Sequence, residues 1–419
     1  MNDNRVILHC DMNGFFASVE LLDHPELRNV PMAVCGNPQS RHGIILAKNE
    51  PAKACGVVTA ETIWQAKKKC PDLQTVPPHM NKYKAYSRKI NDIYQCFTDM
   101  VEPFSIDESW LDVTGSLNLF GSGKDIADTI RNRVRNELGL TLSVGVSFNK
   151  IFAKMGSDYK KPDATTVITP ENFKDLLWPL PTREMFFVGK STAAKLEKTG
   201  IKTIGDIANA DVNFLQSLLG KQGLVLWQYT NGLDDSPVAL FSHREGAKSI
   251  GNGTTFKRDL TSEEDIVTAL TALCDTVARR LRQSGLKAGG IKVDIKDPYF
   301  KVITRQKQLY SPTHLERDIV NASLEIIKSN WTISNPIRML TITAINLVGD
   351  GEIEQINFFE GDQNSREKSE EMAKVMDTVR SKYGVGSIGF GNLLKNDIGA
   401  SVRDSSDSDD WEDKNNHRY

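Results

Sequence analysis

Short apolar runs and longer amphipathic stretches follow one another over the first third of the chain. Apolar runs of about four to eight residues are typical of buried strands, whereas apolar residues three or four positions apart indicate helices. The predicted strands are residues 5–11, 31–36, 44–47 and 142–147. The predicted helices are residues 14–28, 62–70, 82–100 and 124–138. Strands that alternate with helices in this way predict an α/β module.

A predicted hairpin within this region carries two adjacent acids. Residues 101–114 have the pattern of a strand, a polar turn and a second strand, and the turn contains Asp107 and Glu108. Far upstream, the strand-like residues 5–11 end on Asp11. Acids at strand ends suggest a site for a hard cation, because Mg²⁺ prefers oxygen ligands. Two such ions can clamp the attacking and leaving oxygens of a phosphoryl transfer.

Each of these acids also has an ordinary explanation. Adjacent Asp and Glu residues are commonly solvated turn residues, and Asp11 by itself could cap the end of a strand. Adjacent side chains on an extended strand point to opposite faces. Asp107 and Glu108 can therefore serve one site only from a turn or bulge, or with Glu108 reaching around the strand.

The remainder of the chain divides into further regions. Residues 162–235 have a helical pattern that prolines and glycines interrupt. Residues 242–346 have an α+β pattern and hold 16 lysines and arginines against 11 acids. This excess fits a surface that follows nucleic-acid phosphates, or it is an ordinary solvated face. After a predicted helix at 364–383, the Ser/Asp-rich residues 401–419 are predicted to be disordered.

Composition limits the function classes without choosing among them. The 419 residues, 39% of them hydrophobic and 25% charged, suit a globular protein of several domains. The net charge of −2 means that any nucleic-acid-binding surface must be local. The six cysteines show no CxxC spacing, which predicts free thiols in a reducing compartment. No apolar run approaches the ~20 residues of a membrane-spanning helix, so we expect a soluble, cytoplasmic protein without a membrane partner.

Six stretches of the chain resemble one known family. In chain order they are DMNGFFASVE, PMAVCG, ILAKNEPAKACGV, SIDESWLDVTG, SVGVSFNKIFAKMGSDYKKP and KLEKTGIKTIGDI. They are similar in order and spacing to the motifs of the Y-family translesion DNA polymerases, and most closely resemble the bacterial UV-mutagenesis branch. The resemblance covers residues 5–210 and continues more weakly to residue 346.

The resemblance implies a multidomain α/β and α+β fold shaped as a right hand with palm, small fingers, helical thumb and little finger. The implied domains are palm and fingers at 1–165 with the fingers inserted at about 25–80, a thumb at 166–237, a DNA-binding little finger at 242–346, a C-terminal extension at 350–400 and a disordered acidic tail at 401–419. The implied activity is template-directed addition of dNTPs to a primer 3′ end by two-metal phosphoryl transfer, in DNA repair and damage-induced mutagenesis.

The family's metal ligands correspond to Asp11, Asp107 and Glu108, with the backbone carbonyl of Met12 as a fourth ligand, for two Mg²⁺ ions. Phe16 lies where the family has its steric gate, an aromatic ring that leaves no room for a ribose 2′-hydroxyl. Core packing is the alternative for Phe16, because it shares one apolar segment with its neighbours.

The resemblance also implies contacts to the nucleotide triphosphate. These are the backbone N–H of Phe15 and the side chains of Lys53 and Lys161. The alternative for either lysine is an ordinary surface charge, and the aromatic residue that often lies three positions before Lys53 in the family is Glu50 here. Further residues that match the same motifs with less definite roles are Tyr83, Arg88, Asn149, Lys150 and Lys154.

The thumb region contains a pattern similar to a helix-hairpin-helix turn at residues 187–191. Such a turn can present backbone N–H groups to a DNA phosphate at a helix start. The family usually has a glycine where this chain has Phe187, so phosphate binding and a purely structural turn both remain open.

A short peptide near the C-terminus resembles the segment by which bacterial polymerases dock on the sliding clamp. It runs from Gln355 to Phe359 with the sequence QINFF. The glutamine can hydrogen-bond, while Phe358 and Phe359 can fill an apolar pocket. The alternative is a short edge strand that packs both rings.

We therefore expect a DNA-directed DNA polymerase whose partners are primer-template DNA, dNTPs and a sliding clamp; the need for accessory subunits is not predictable. One rival is a non-catalytic DNA- and clamp-binding protein descended from such enzymes, which loss of a carboxylate would favour. A second rival is a metal nuclease that uses the same acids. The gate-like Phe16 and the triphosphate lysines argue against it.

Overall fold

The computed structural model describes residues 5–36, 43–243, 246–349, 363–394 and 396–402. These residues form two compact units. Of the described residues, the first unit holds 5–36 and 43–243, and the second unit holds those from 246 onwards. None of the helices in these ranges is both long enough and apolar enough to cross a membrane.

The first unit combines two sheets with helices. Its strands are β1 Ile7–Met12, β2 Met32–Cys35, β3 Ile45–Lys48, β4 Gln74–Val76, β5 Val101–Pro103, β6 Glu108–Asp112, β7 Leu142–Ser147 and β8 Thr165–Val167. Its α-helices are α1 Phe15–Asp23, α2 Glu50–Ala54, α3 Ile63–Lys69, α4 Met80–Gln95, α5 Leu117–Phe120, α6 Gly123–Leu138, α7 Lys150–Tyr159, α8 Phe173–Leu177, α9 Lys190–Lys198, α10 Ile204–Asn209, α11 Val212–Leu219 and α12 Lys221–Thr230.

A five-stranded sheet, which we call the palm sheet, has the strand order β5-β6-β1-β7-β8. The central strand β1 is buried along its whole length and pairs antiparallel with β6 and β7. Successive side chains of a strand point to opposite faces. Leu8, Cys10 and Met12 accordingly pack in the core that contains α4 and α6, whereas Ile7 packs with Ala153 of α7. The alternate residues His9 and Asp11 thus share the face of α7.

Helix α6 shows how the local sequence sets an element. Its predicted apolar positions Ile126, Ile130 and Val134 are all fully buried. The side chain of Ser122 accepts the Asp125 N–H and the Asp125 carboxylate accepts the Ser122 N–H, so the first turn is capped from both sides. Gly139, in the left-handed conformation at φ 69°, ends the helix.

Helix α7 lies unusually close to the palm sheet because of one glycine. A Cβ atom at Gly145 of β7 would lie 1.9 Å from the carbonyl oxygen of Ala153, a distance no side chain tolerates. Only glycine therefore allows α7 to rest directly on β7. This approach brings the side chain of Lys154 over the carboxylate end of the sheet.

The second sheet of this unit lies within residues 25–80, the range in which fingers are predicted. It has the order β3-β2-β4, with β2 antiparallel to β3 and parallel to β4. Helices α2 and α3 contribute Ala52, Ile63 and Ala66 to its small core. Strand β4 was not predicted, because three residues are too short for a clear alternation.

The residues predicted to be helical at 162–235 form a strand before the helices begin. Strand β8 pairs parallel with β7, so the palm sheet extends past the expected boundary at residue 165. Helices α8–α12 then pack in a core that includes Leu196, Ile204 and Leu226 and that Phe152 of α7 also enters. In the predicted hairpin turn, Phe187 has a left-handed backbone with φ 69°, and its ring packs near those of Phe186 and Tyr229.

The second unit is an antiparallel sheet packed against helices. Its elements are β9 Ile250–Leu260, α13 Glu263–Gln283, β10 Leu286–Lys296, β11 Val302–Thr313, α14 Glu316–Asn330, β12 Ile337–Gly349 and α15 Gln363–Tyr383. The strand order is β11-β10-β12-β9. Apolar residues of α13, α14 and β10 share one core, in agreement with the predicted α+β pattern.

The described C-terminal residues, 363–394 and 396–402, pack into this second unit, although the sequence suggested only an extension. Arg380 of α15 forms a buried ion pair with Asp275 of α13, with 3.0 Å between Nη1 and Oδ1. The Lys257 N–H donates to the Ile398 carbonyl at 3.0 Å, and Ile398 and Ala400 enter the unit's core. The predicted acidic tail lies outside the described residues from position 403.

Candidate active site

The pairing of β1 with β6 brings together two of the predicted acids. In the antiparallel register Asp11 lies directly opposite Glu108. Directly opposite residues on paired strands point to the same face with their Cβ atoms about 5 Å apart. Two carboxylates that are almost 100 positions apart in the sequence therefore meet at one end of the palm sheet.

Asp107 reaches the same end of the sheet from a turn. It precedes the first residue of β6, and its carbonyl oxygen accepts the Met12 N–H at 3.1 Å. The Ser105 hydroxyl donates to Oδ1 of Asp107 at 2.7 Å. Burial raises the pKa of Asp107, and the charges of Asp11 and Glu108 raise it further. The turn meets the condition under which Asp107 and Glu108 can serve one site.

A histidine that the sequence analysis missed completes the group. His9, Asp11 and Glu108 offer ligand atoms that all lie within 4.8 Å of one another. Nε2 of His9 is 3.3 Å from Oε2 of Glu108, and Nδ1 is 2.8 Å from the Ser157 hydroxyl of α7. Burial lowers the pKa of His9. The available signal was its position two residues before Asp11 on a strand, which places both side chains on one face.

Two lysines extend their ammonium groups into the carboxylate group. Nζ of Lys154 lies 3.0 Å from both Asp11 Oδ2 and Glu108 Oε2, and 3.2 Å from Asp158. Nζ of Lys161 lies 2.8 Å from both Asp11 and Asp158. Burial by itself would lower the pKa of each lysine, but the carboxylates outweigh it and raise both pKa values. Both side chains are therefore cations at neutral pH.

The same contacts determine the charge of Glu108. Burial opposes its ionisation, but the neighbouring His9 and the ammonium of Lys154 outweigh burial and lower the pKa of Glu108 to about 2. The carboxylate is consequently ionised throughout the neutral range. A carboxylate that stays ionised while partly buried is available as a ligand for a cation.

The donor set fits a hard divalent metal ion. Asp11 and Glu108 supply carboxylate oxygens, the ligand type that Mg²⁺ prefers. Oε2 of Glu108 is buried and receives no hydrogen bond of good geometry from any residue that the structure describes. A metal ion bound there would compete with the ammonium groups of Lys154 and Lys161 for the same carboxylate oxygens. Asp107 lies outside the group of three within 4.8 Å but at the same sheet end.

The predicted steric-gate residue lies on the first turn of α1. Phe16 is half-buried, and its ring stacks on that of Tyr83 with 4.2 Å between centroids and 12° between planes. Tyr83 is fully buried, so its side chain has no surface with which to contact a nucleotide. Phe15 is also buried, in the palm core, which leaves its backbone N–H as its possible contact.

Four other candidate residues have different surroundings. Lys53 is exposed on α2 and pairs with Glu50 of the same helix at 3.4 Å. Asn149 caps α7, since its side chain accepts the Phe152 N–H at 2.7 Å. Lys150 donates to Glu102 at 2.7 Å. Asn149 and Lys150 thus have structural contacts, and Arg88 is exposed on α4.

The predicted clamp peptide cannot be placed. Gln355, Phe358 and Phe359 lie outside the described residues. Its docking role therefore stays a prediction from sequence.

Comparison with known proteins gives a consistent assignment along the chain. The impB/mucB/samB family model matches residues 10–158, and its C-terminal domain model matches residues 247–358. Residues 170–201 match the IMS family HHH motif, and residues 187–234 match the thumb domain of DNA polymerase-iota. The chain is 46% identical to DNA polymerase IV of Acetivibrio thermocellus over 391 residues, which cover 93% of this chain and 98% of that protein. The chain belongs to the Y-family DNA polymerases.

Other members of the family are similar over the same length. DNA polymerase IV 1 of Bacillus subtilis is 36% identical over 412 residues, 98% of each chain. A solved Y-family DNA polymerase chimera has a TM-score of 0.73 at 24% identity and covers 82% of this chain and 99% of its own. The predicted right-hand fold is thereby confirmed. So is the prediction of a DNA-directed DNA polymerase of translesion type, whose substrates are primer-template DNA and dNTPs.

The ion pairs of Lys154 lead to a prediction about metal and stability. We expect Lys154→Met to lower the melting temperature in EDTA by several degrees, because Asp11 and Glu108 then repel each other with less compensation. Each kcal/mol lost lowers the melting temperature of a domain of about 200 residues by roughly 2–4 °C. Mg²⁺ should raise the melting temperature more in this variant than in wild type, as scanning fluorimetry would measure. Lys160→Met, an exposed lysine at the end of α7, is the matched control. Equal responses to Mg²⁺ in all three proteins would contradict the prediction.

Proposed function

We propose that Asp11, Asp107 and Glu108 are the catalytic carboxylates that support dNTP addition to a primer 3′ end. The observation that carries this proposal is the register of β1 and β6, which sets Asp11 opposite Glu108 with Asp107 in the adjoining turn. In the reaction the primer 3′-oxygen bonds to the α-phosphorus and loses its proton. The bond from that phosphorus to the β-phosphate oxygen breaks, and pyrophosphate leaves.

The three carboxylates and the Met12 carbonyl would hold two Mg²⁺ ions. When bound, Mg²⁺ lowers the pKa of the primer hydroxyl and neutralises triphosphate charge. The chain's own residues prepare this site. The low pKa of Glu108 keeps it ionised, and the buried Asp11 side chain can reorganise little because two strands flank it.

Lys161 is our candidate for binding the triphosphate. Its ammonium lies 2.8 Å from Asp11, and a third of its side chain is exposed to an incoming anion. Lys154 is more buried and contacts three carboxylates, so it suits the role of a fixed counter-charge. For Lys53 the sequence resemblance is the only support, because its known contact is with Glu50.

Phe16 is our candidate for the steric gate. Its ring is half-buried and is held by stacking on the fully buried Tyr83. A ring that is held but still partly exposed can contact a nucleotide sugar, whereas a purely core ring has no such exposed edge. This observation favours the gate over core packing.

The relatives bear on the branch of the family. Relatives that are 36–46% identical to the chain are named DNA polymerase IV, so we favour the DNA polymerase IV branch over the predicted UV-mutagenesis branch. The action of such an enzyme on a bacterial chromosome supports a cytoplasmic location. Of the rivals, neither the non-catalytic descendant nor the metal nuclease is favoured, because all three carboxylates accompany the gate and lysine residues.

Removal of a proposed metal ligand tests the catalytic assignment. Asp107→Ala or Glu108→Ala should lower the rate of primer extension by at least about 1,000-fold, because several kcal/mol of transition-state stabilisation would be lost. Affinity for primer-template DNA should change little, since it rests mainly on phosphate contacts elsewhere. Extension assays and fluorescence anisotropy would measure the two effects. Asp92→Asn, an exposed acid on α4, is the control, and wild-type rates in either alanine variant would refute the assignment.

Truncation of the proposed gate tests sugar selection. Phe16→Ala should lower the preference for a dNTP over the matching rNTP at least about tenfold, because space for the 2′-hydroxyl opens while the rest of the site is kept. Single-nucleotide incorporation kinetics with dCTP and CTP would give the ratio of kcat/KM values. An unchanged ratio in a folded variant would return Phe16 to the role of a core residue.

The QINFF peptide supports a proposed interaction with a bacterial sliding clamp. A tethered peptide raises the concentration of the polymerase at the primer end without altering its active site. Replacing both Phe358 and Phe359 with Ala should therefore abolish clamp binding in surface plasmon resonance, while extension of a short primer-template without clamp is retained. Undiminished clamp binding by the double variant would end this proposal, and a joint loss of basal activity and thermal stability would assign the rings to the folded core.

A further inference from the structure

A buried carboxylate lies behind the proposed steric gate and takes no part in the chemistry described above. Glu20 of α1 is only 1% exposed. Burying an ionised carboxylate is costly unless charged or hydrogen-bonding partners compensate it. The residues that contact Glu20 therefore indicate its role.

The most direct partner of Glu20 is Tyr83 of α4. The Tyr83 hydroxyl donates a hydrogen bond to Oε1 of Glu20. Tyr83 is fully buried, and burial together with this hydrogen bond raises the pKa of its hydroxyl, so the donor keeps its proton. The other end of the same side chain presents its ring to Phe16. Tyr83 thus connects the carboxylate to the gate.

The spacing of Phe16 and Glu20 on α1 lets both residues contact the same tyrosine. Phe16 and Glu20 are four positions apart on one helix, so they lie on the same face one turn apart. Both reach Tyr83, Phe16 by ring stacking and Glu20 by the hydrogen bond. Stacking by itself lets two rings slide over one another, whereas a hydrogen bond at the far end of the tyrosine restricts that sliding.

Two further groups hold the Glu20 carboxylate in place, His79 just before α4 and Lys82 in its first turn. Nδ1 of His79 lies 3.1 Å from both carboxylate oxygens, and Nζ of Lys82 lies 3.6 Å from Oε2. His79 precedes the first residue of α4, and its carbonyl oxygen accepts the Tyr83 N–H at 3.1 Å. Both residues contact Glu20 of α1. A carboxylate with contacts on several sides has few alternative rotamers and can fix the position of Tyr83.

We propose that Glu20 is a positioning residue for sugar selection, which sets the place of the Phe16 ring through Tyr83. The inference rests on the proposed steric-gate role of Phe16 and deepens it. A gate discriminates against one hydroxyl group, so a small displacement of the ring admits the ribonucleotide. Loss of the hydrogen bond should therefore weaken discrimination more than it slows dNTP addition.

The alternative is that Glu20 only helps to hold α1 against α4. A second contact between the same helices provides a matched control for this alternative. Lys82 of α4 also joins the two helices, because its Nζ lies 2.5 Å from Asp23 and donates to the Val19 carbonyl at 3.0 Å. Asp23 is exposed and lies one turn beyond Glu20 on α1. Asp23→Asn weakens the helix contact without touching Tyr83 or Phe16.

The test measures the ratio of kcat/KM for dCTP to that for CTP in the full-length enzyme. Tyr83→Phe removes only the hydroxyl, and Glu20→Ala removes its acceptor. Each should lower the ratio about tenfold, the equivalent of about 1.4 kcal/mol for one buried hydrogen bond. The double variant should lower it no further than either single change, because both remove the same bond. Glu20→Gln keeps an acceptor oxygen and should restore most of the ratio.

The outcomes separate this inference from the gate itself. An unchanged ratio in Phe16→Ala would refute the gate and this inference with it. If Phe16→Ala lowers the ratio but Tyr83→Phe leaves it at the wild-type value, only the positioning role is overturned. An equal fall of the ratio in Asp23→Asn would also overturn it, because general helix docking would then suffice. Should Glu20→Ala not fold, Tyr83→Phe decides the question alone.

Discussion

Repulsion among carboxylates at one end of the palm sheet is the constraint on which the first unit depends. Asp11 and Glu108 lie opposite each other because of the β1–β6 register, and Asp107 adjoins them from the turn. Without cations these acids would push the strand ends apart. Lys154 and Lys161 offset that repulsion, so these ion pairs can hold the strand ends together without a metal ion.

The ion pairs of Lys154 depend on residues that do not themselves contact the carboxylates. Lys154 can reach the acids only because α7 rests directly on the sheet, which requires the absent side chain of Gly145. The same helix supplies Ser157 to His9 and begins at the Asn149 cap. The residues that position the site therefore include a glycine, a cap and a hydroxyl, none of which touches the carboxylates of Asp11 or Glu108.

The proposed steric gate is held by aromatic packing, whereas the carboxylate group is held by ion pairs. Phe16 lies five residues after Asp11, and its ring stacks on that of Tyr83. Tyr83 belongs to α4, a helix that also packs in the palm core. The proposed gate and the carboxylate group are thus supported by different helices, α4 and α7. Changes in one support need not disturb the other, which permits sugar selection and nucleotide addition to be separated experimentally.

The family and most strands and helices of the palm could be predicted from the chain alone, because those signals are local: motif letters, apolar periodicity and caps such as that at Ser122. The same motifs gave the three acids and Phe16 as candidate site residues. The sequence did not reveal His9 as a neighbour of Glu108, the shared counter-charge of Lys154, the burial of Tyr83 or strands β4 and β8. The packing of residues 363–394 and 396–402 into the second unit was likewise not predicted. Each of these depends on contacts between residues far apart in the chain, often more than 100 positions as for Lys154 and Asp11. The choice of partner strands and the docking of helices set such contacts, whereas local periodicity predicts the type of an element but not which distant element it meets.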